Sequence, residues 1–141
     1  MRWSTGVILL ADGDEEVPKS VKEFLVVVPD YIVLQAATLQ EAVSVLSRLK
    51  FTVDLLVIDL DLPNETGQDL FRLLTTPGCG KASKIIAKTS RHDESFLGQV
   101  YSLGADAILL KPTSAEQLAG TVYAVLSGGP KSPVRASGAA A

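Results

Sequence analysis

Val53-Asp54-Leu55-Leu56-Val57-Ile58-Asp59-Leu60-Asp61-Leu62-Pro63 is the stretch around which the rest of the chain is organised. Leu55 to Ile58 is an apolar run of strand length, rich in branched side chains, and it suits a strand covered on both faces. It breaks off at Asp59, with Asp61 two positions on, and then enters a loop from Pro63 to Gly67. In an open parallel sheet the carboxyl ends of the strands line the ligand crevice. A carboxylate at that end is held out by a rigid element. The plain alternative, that Asp59 only caps the turn into the next helix, is weighed against what ends the other strands.

Working outward, strand-like and helix-like segments alternate. Val7 to Ala11 predicts a first strand, followed by the acidic turn Asp12-Gly13-Asp14-Glu15-Glu16. Val17, Val21, Phe24, Leu25 and Val28 then share one helical face, with Pro18 in the first turn. Tyr31 to Ala36 is a second strand, and Thr38-Leu39-Gln40-Glu41 is a capping box opening a helix that turns Ala42, Val45, Leu46 and Leu49 inward. After the Val53–Pro63 stretch, Gly67 to Thr75 predicts a third helix, stopped at Pro77-Gly78-Cys79-Gly80. Lys84 to Thr89 is the fourth strand, Glu94 to Leu103 the fourth helix with Gly104 at its C′ position, and Ala107 to Lys111 the fifth strand. Thr113-Ser114-Ala115-Glu116 reads as a second capping box for a last helix carrying Leu118, Val122, Val125 and Leu126 inward. Residues 128–141 are Gly-, Pro-, Ser- and Ala-rich and read as a flexible tail or linker after a domain spanning 1–127. Five βα units in alternation imply an α/β fold with a doubly wound parallel sheet.

Composition narrows the function. A chain of 141 residues, 47% hydrophobic, makes one domain with a real core. A net charge of −3 and the lack of a basic stripe argue against a nucleic-acid partner. A single cysteine excludes an internal disulfide and suits a reducing compartment. The start predicts no signal peptide and no apolar run predicts a membrane span, so the expected location is cytoplasmic.

Each strand delivers chemistry at its carboxyl end. The first offers Asp12 and Asp14, the third Asp59 and Asp61, the fourth Thr89-Ser90, and the fifth Lys111-Pro112. Carboxylates suit a hard divalent cation, and one of them can itself be a phosphoryl-accepting nucleophile. A lysine offers a point charge to a phosphate oxygen, and a hydroxyl can bond another. If the strand order is 2-1-3-4-5, as in flavodoxin-like sheets, the acids meet across the topological switch point.

With these pieces in place the chain, from about Val7 to Leu126, resembles the receiver domain of two-component response regulators, the chemotaxis regulators among them. The matching pieces are Ile8-Leu9-Leu10-Ala11-Asp12, Asp59-Leu60-Asp61-Leu62-Pro63 with Gly67, Thr89-Ser90, Gly104-Ala105-Asp106 and Lys111-Pro112. The resemblance implies a flavodoxin-like (βα)5 fold and a phosphorelay function. Asp59 is then the phosphoacceptor, Lys111 the phosphate and carboxylate partner, and Thr89 the switch hydroxyl. Asp12, with Asp59, is a ligand of Mg2+. The implied donor is a histidine kinase or phosphotransfer protein, and no enzymatic turnover is expected beyond self-phosphorylation and self-dephosphorylation. The surface of the fourth helix, fifth strand and fifth helix, with Val100, Tyr101, Leu109 and Tyr123 on or under it, is the implied output or homodimer face. A cis peptide bond at Lys111-Pro112 is also implied.

Two departures stand out. The family's second acid after the first strand is Gly13 here, which predicts weakened Mg2+ binding with Asp14 or Asp61 as candidate replacements. Ile108 stands where the family often carries a switching aromatic. Gly13 supports a second reading, a degenerate receiver that binds proteins without phosphate. A third compares Asp59-Leu60-Asp61 with the nucleophile motif of haloacid-dehalogenase-like phosphatases. That family needs further acids after the lysine, and only Glu116 follows Lys111. His92, the sole histidine, reads as a solvated loop residue, and Cys79 as a loop thiol with no base beside it.

Overall fold

The computed structural model describes residues 6–13, 19, 21, 31–48, 53–61, 84–127 and 134–135. Its strands are β1 (Gly6–Ala11), β2 (Tyr31–Ala36), β3 (Leu55–Asp59), β4 (Lys84–Thr89), β5 (Ala107–Leu110) and β6 (Val134–Arg135). Its helices are α1 (Leu39–Arg48), α2 (Glu94–Ser102) and α3 (Ala115–Leu126), which are the second, fourth and fifth helices expected from the sequence. The helices expected at Val17–Val28 and Gly67–Thr75 lie outside the described residues apart from Lys19 and Val21, both helical, the first exposed and the second buried. Trp3, Asp14, the loop from Pro63 to Gly67 and Cys79 also lie outside them.

Five strands run in the order β2-β1-β3-β4-β5, all pairs parallel, as a flavodoxin-like sheet requires. The short β6 pairs parallel with β5, within the stretch that the sequence assigns to a tail. β3 sits at the centre, with Leu56 beside Leu9 on one side and Ile85 on the other. All five of its residues are buried. Alternation along each strand sends its side chains to opposite faces. Leu9, Ala11, Leu56 and Ile58 face α1 through Ala42 and Leu46. Ile8, Leu10, Leu55, Val57, Ile86 and Leu109 face α3 through Leu118 and Val122. Ala87 and Ile108 continue the first face under α2, against Leu97 and Val100.

Local signals explain the helix ends. Thr38 Oγ1 accepts from the Glu41 amide at 3.0 Å, while the Glu41 carboxylate accepts from the Ala37 amide at 2.7 Å. The second box sits one residue later than the sequence suggests. Ser114, not Thr113, is the N-cap, and its partner is Gln117, which accepts from the Ser114 amide at 2.9 Å. Thr113 instead donates its hydroxyl to the Leu110 carbonyl, and Glu116 stays exposed. Gly104, at φ +116°, ends the turn after α2. Its amide bonds the Tyr101 carbonyl and the Ala105 amide bonds the Val100 carbonyl, which lets the chain reverse into β5. Among the described residues no helix is long and apolar enough to cross a membrane.

Two glycines should respond oppositely to the same change. Gly104→Ala forces an L-residue into left-handed backbone and should cost about 1–2 kcal/mol. Gly120→Ala, on an open helix position with nothing within 4 Å of an added Cβ, should gain up to about 1 kcal/mol. Urea unfolding of the two variants measures both.

Candidate functional site

The strands that bury apolar side chains along their length end in polar ones. Among the described residues the buried polar and charged side chains are Asp12, Asp59, Lys88, Thr89 and Thr121. Four of these stand at the carboxyl ends of β1, β3 and β4. Strand parity sorts them. Asp12 follows Ile8 and Leu10, Asp59 follows Leu55 and Val57, and Lys88 follows Ile86, all on the face covered by α3. Lys111, two positions after Leu109, continues the same face. Thr89 falls on the opposite face, toward α2.

Asp59 and Lys111 meet as the sequence anticipates. The ammonium donates to Asp59 Oδ1 at 2.7 Å, and the Asp61 amide donates to the same oxygen at 2.9 Å. Both of these bonds fall on Oδ1, and none reaches Oδ2 among the described residues. The peptide bond after Lys111 is cis. Burial works against the Lys111 charge, but the hydrogen bond to Asp59 and the charges of Asp59 and Asp61 outweigh it and raise its pKa.

Asp61 does something else. Its carboxylate accepts from the Thr89 hydroxyl at 3.0 Å and the Ser90 amide at 2.7 Å, and lies 3.3 Å from Lys111 Nζ. Partial burial opposes its ionisation, yet hydrogen bonds from Ser90 and Thr89 and the Lys111 charge prevail and lower its pKa. Thr89 Oγ1 also accepts from the Arg91 amide at 3.1 Å. The Arg91 guanidinium grips the N-cap residue of α2, Asp93, through two bonds of 3.0 and 2.8 Å, and stacks 3.9 Å from the Phe96 ring centre. The Thr89 hydroxyl is thereby linked through one residue, Arg91, to a helix terminus. His92 is exposed.

Lys88 is the residue that the sequence reading passes over. Its ammonium donates to Asp12 Oδ2 at 2.8 Å, and the two side chains are only 8% and 1% exposed. The signal was available: a lysine inside Ile85-Ile86-Ala87-Lys88-Thr89, otherwise a strand with no room for charge, demands a buried counter-ion.

The family model for the response regulator receiver domain matches residues 8–123. The chain belongs to this family. Among solved structures, a CheY-like receiver domain protein from Methanospirillum hungatei is 25% identical, with a TM-score of 0.71, covering 89% of this chain and 96% of its own. The receiver domain of a putative Luxo repressor protein from Vibrio parahaemolyticus is 21% identical at a TM-score of 0.70, covering 88% and 92%. A response regulator from Thermotoga maritima is 23% identical at 0.67, covering 87% and 98%. Among curated proteins no relative matches.

Receiver domains generally bind Mg2+ at acidic residues, and Asp12 and Asp59 are both present. Among the described residues the surroundings of these acids do not fit a divalent cation, which needs several oxygens converging on one point. Asp12 Oδ2 is taken by an ammonium, Gly13 brings no carboxylate, and Asp61 is turned to Thr89 and Ser90. No group of three metal-binding side chains forms among the described residues.

Removing one partner of a buried pair strands the other charge. Lys88→Met should therefore cost about 3 kcal/mol or more, and the double variant Asp12→Asn/Lys88→Met clearly less than Asp12→Asn and Lys88→Met summed. A double-mutant cycle by denaturant unfolding measures the coupling.

Proposed function

We propose that this receiver accepts a phosphoryl group on Asp59 from a phosphohistidine of a kinase or phosphotransfer protein and uses it to alter partner binding. The observation that carries the reading is the Asp59–Lys111 contact, which holds one carboxylate oxygen and leaves the other to attack. In that step Oδ2 bonds to phosphorus as the phosphorus–nitrogen bond of the donor breaks, and Lys111 offsets the added negative charge. The protein acts as a regulatory acceptor in the cytoplasm, not as a turnover enzyme.

The output surface follows from the hydrogen bonds of Thr89. A phosphoryl oxygen that draws its hydroxyl away from Asp61 also disturbs the Arg91 amide, and with it the Asp93 and Phe96 contacts at the start of α2. The face of α2, β5 and α3 is then the one that changes for an output partner or a second copy. Tyr123, 53% exposed on α3, lies on it, and the half-buried Tyr101 borders it. Ile108 is fully buried beneath α2, so coupling runs through packing and not through a moving aromatic. A phosphate-independent binding module is the second reading, favoured by Gly13 and by the engagement of Thr89 and Lys111 with Asp61.

Acetyl phosphate separates the two. Asp59 should become labelled, and Asp59→Asn should abolish labelling, as read by intact mass; an unlabelled wild type under all ionic conditions would leave the binding module. Amide chemical shifts of residues 94–102 should move on modification, and Thr89→Ala should remove most of that movement while leaving labelling in place.

A further inference from the structure

The receiver reading accounts for Asp59, Thr89 and Lys111 and leaves Lys88 without a role. We propose that the Lys88 ammonium is a built-in cation that takes the place of the divalent metal, so that this acid pocket is largely neutralised from within and operates without one. The proposal deepens the receiver reading and rests on it for the identity of the pocket.

Three observations converge. Lys88 stands in the same cross-strand row as the acceptor, since its Cα pairs with Asp59 on β3 and with Leu109 on β5. Parallel neighbours on both sides fix the backbone, and a side chain buried to this degree cannot swing its ammonium to water. Secondly, the ammonium reaches the Asp12 carboxylate at 2.8 Å, with Asp12 itself wholly inaccessible. A hard cation seeking Asp12 would have to evict that ammonium or sit beside a like charge in a poorly hydrated pocket, and both are unfavourable. Thirdly, the position after Asp12 is Gly13, so the residue next to the acid that Lys88 holds adds no carboxylate for a metal. Asp12, Asp59 and Asp61 face the ammonium groups of Lys88 and Lys111. One of these ammonium groups is tied to the acceptor and the other to the acid that would hold a metal.

A lysine is also the right substitute in kind. It presents a compact, strongly directed positive charge. Held on Asp12, it supplies charge to the pocket through that carboxylate. Lys111 is left as the cation in contact with the reacting carboxylate.

The test is a metal titration of the full chain, which does not depend on phosphorylation. MnCl2 is added to the wild type, Lys88→Met and Lys88→Gln, and paramagnetic broadening of the amides of residues 11–13 and 59–61 is followed. Lys88→Gln keeps a donor for Asp12 should Lys88→Met fail to fold. The wild type is expected to show no saturable broadening there at millimolar Mn2+, and the variants to bind at least about tenfold more tightly. The melting temperature of the variants should then rise with MgCl2 while that of the wild type stays level. Saturable sub-millimolar binding by the wild type, or variants no tighter than it, overturns the proposal. Labelling of Asp59 by acetyl phosphate is measured in parallel, in EDTA and in MgCl2. Rates within about twofold of each other support an internal cation, and labelling only with MgCl2 overturns it. Absence of labelling in both sinks the acceptor reading alone, because the Mn2+ titration still decides the role of Lys88.

Discussion

A strand covered on both faces has no wet side, and the molecule is arranged around that constraint. β3 buries every residue and is paired along both edges, so polar groups are admitted only where the sheet stops. Charge therefore concentrates at the carboxyl ends, where Asp12, Asp59, Lys88, Thr89 and Lys111 stand within one crevice. The exception among the buried polar residues is Thr121, which spends its hydroxyl locally on the Gln117 carbonyl. The crevice is chemically rich because the rest of the sheet is not.

The opposite edge of the sheet uses carboxylates in another way. Asp54 Oδ2 accepts from the Val7 amide at 2.7 Å, and Asp106 Oδ2 from the Ile85 amide at 2.8 Å, each tying the first residues of one strand to the loop before another. Gly6 belongs to this edge too. A Cβ there would lie 2.4 Å from the Tyr31 ring and 3.1 Å from Asp54. Acids at the amino ends satisfy backbone donors that would otherwise be orphaned. Those at the carboxyl ends meet cations and hydroxyls. The same residue type is structural at one end and poised for chemistry at the other.

This division explains what could be read in the sequence. The parallel α/β class and the burial were legible because apolar runs of strand length alternate with helical periodicity and break at charged residues; the strand order came from the resemblance to receiver domains. The pairing of Asp59 with Lys111 was legible through the resemblance to receiver domains, which makes Lys111 the carboxylate's partner, and both residues stand at carboxyl ends of strands. Lys88 was not, since a lysine one place before Thr89 looks like part of a polar strand terminus until parity puts it on the inner face. Asp61 was read as a candidate oxygen for a metal. Only side-chain geometry shows that it turns across to β4, and only there is the second capping box seen to join Ser114 with Gln117 in place of Thr113 with Glu116.

The position of Asp61 has an energetic consequence. The Thr89 hydroxyl, the Ser90 amide and the Lys111 ammonium are donors of the kind a phosphoryl oxygen would seek, and all three already converge on a carboxylate in the unmodified chain. An incoming phosphoryl group would compete for these donors and not find them idle. Its gain is the difference between two anions that compete for the same donors, and an equilibrium moves only by such a difference. The resting state is then partly pre-engaged, and the gap between off and on narrows from the resting side.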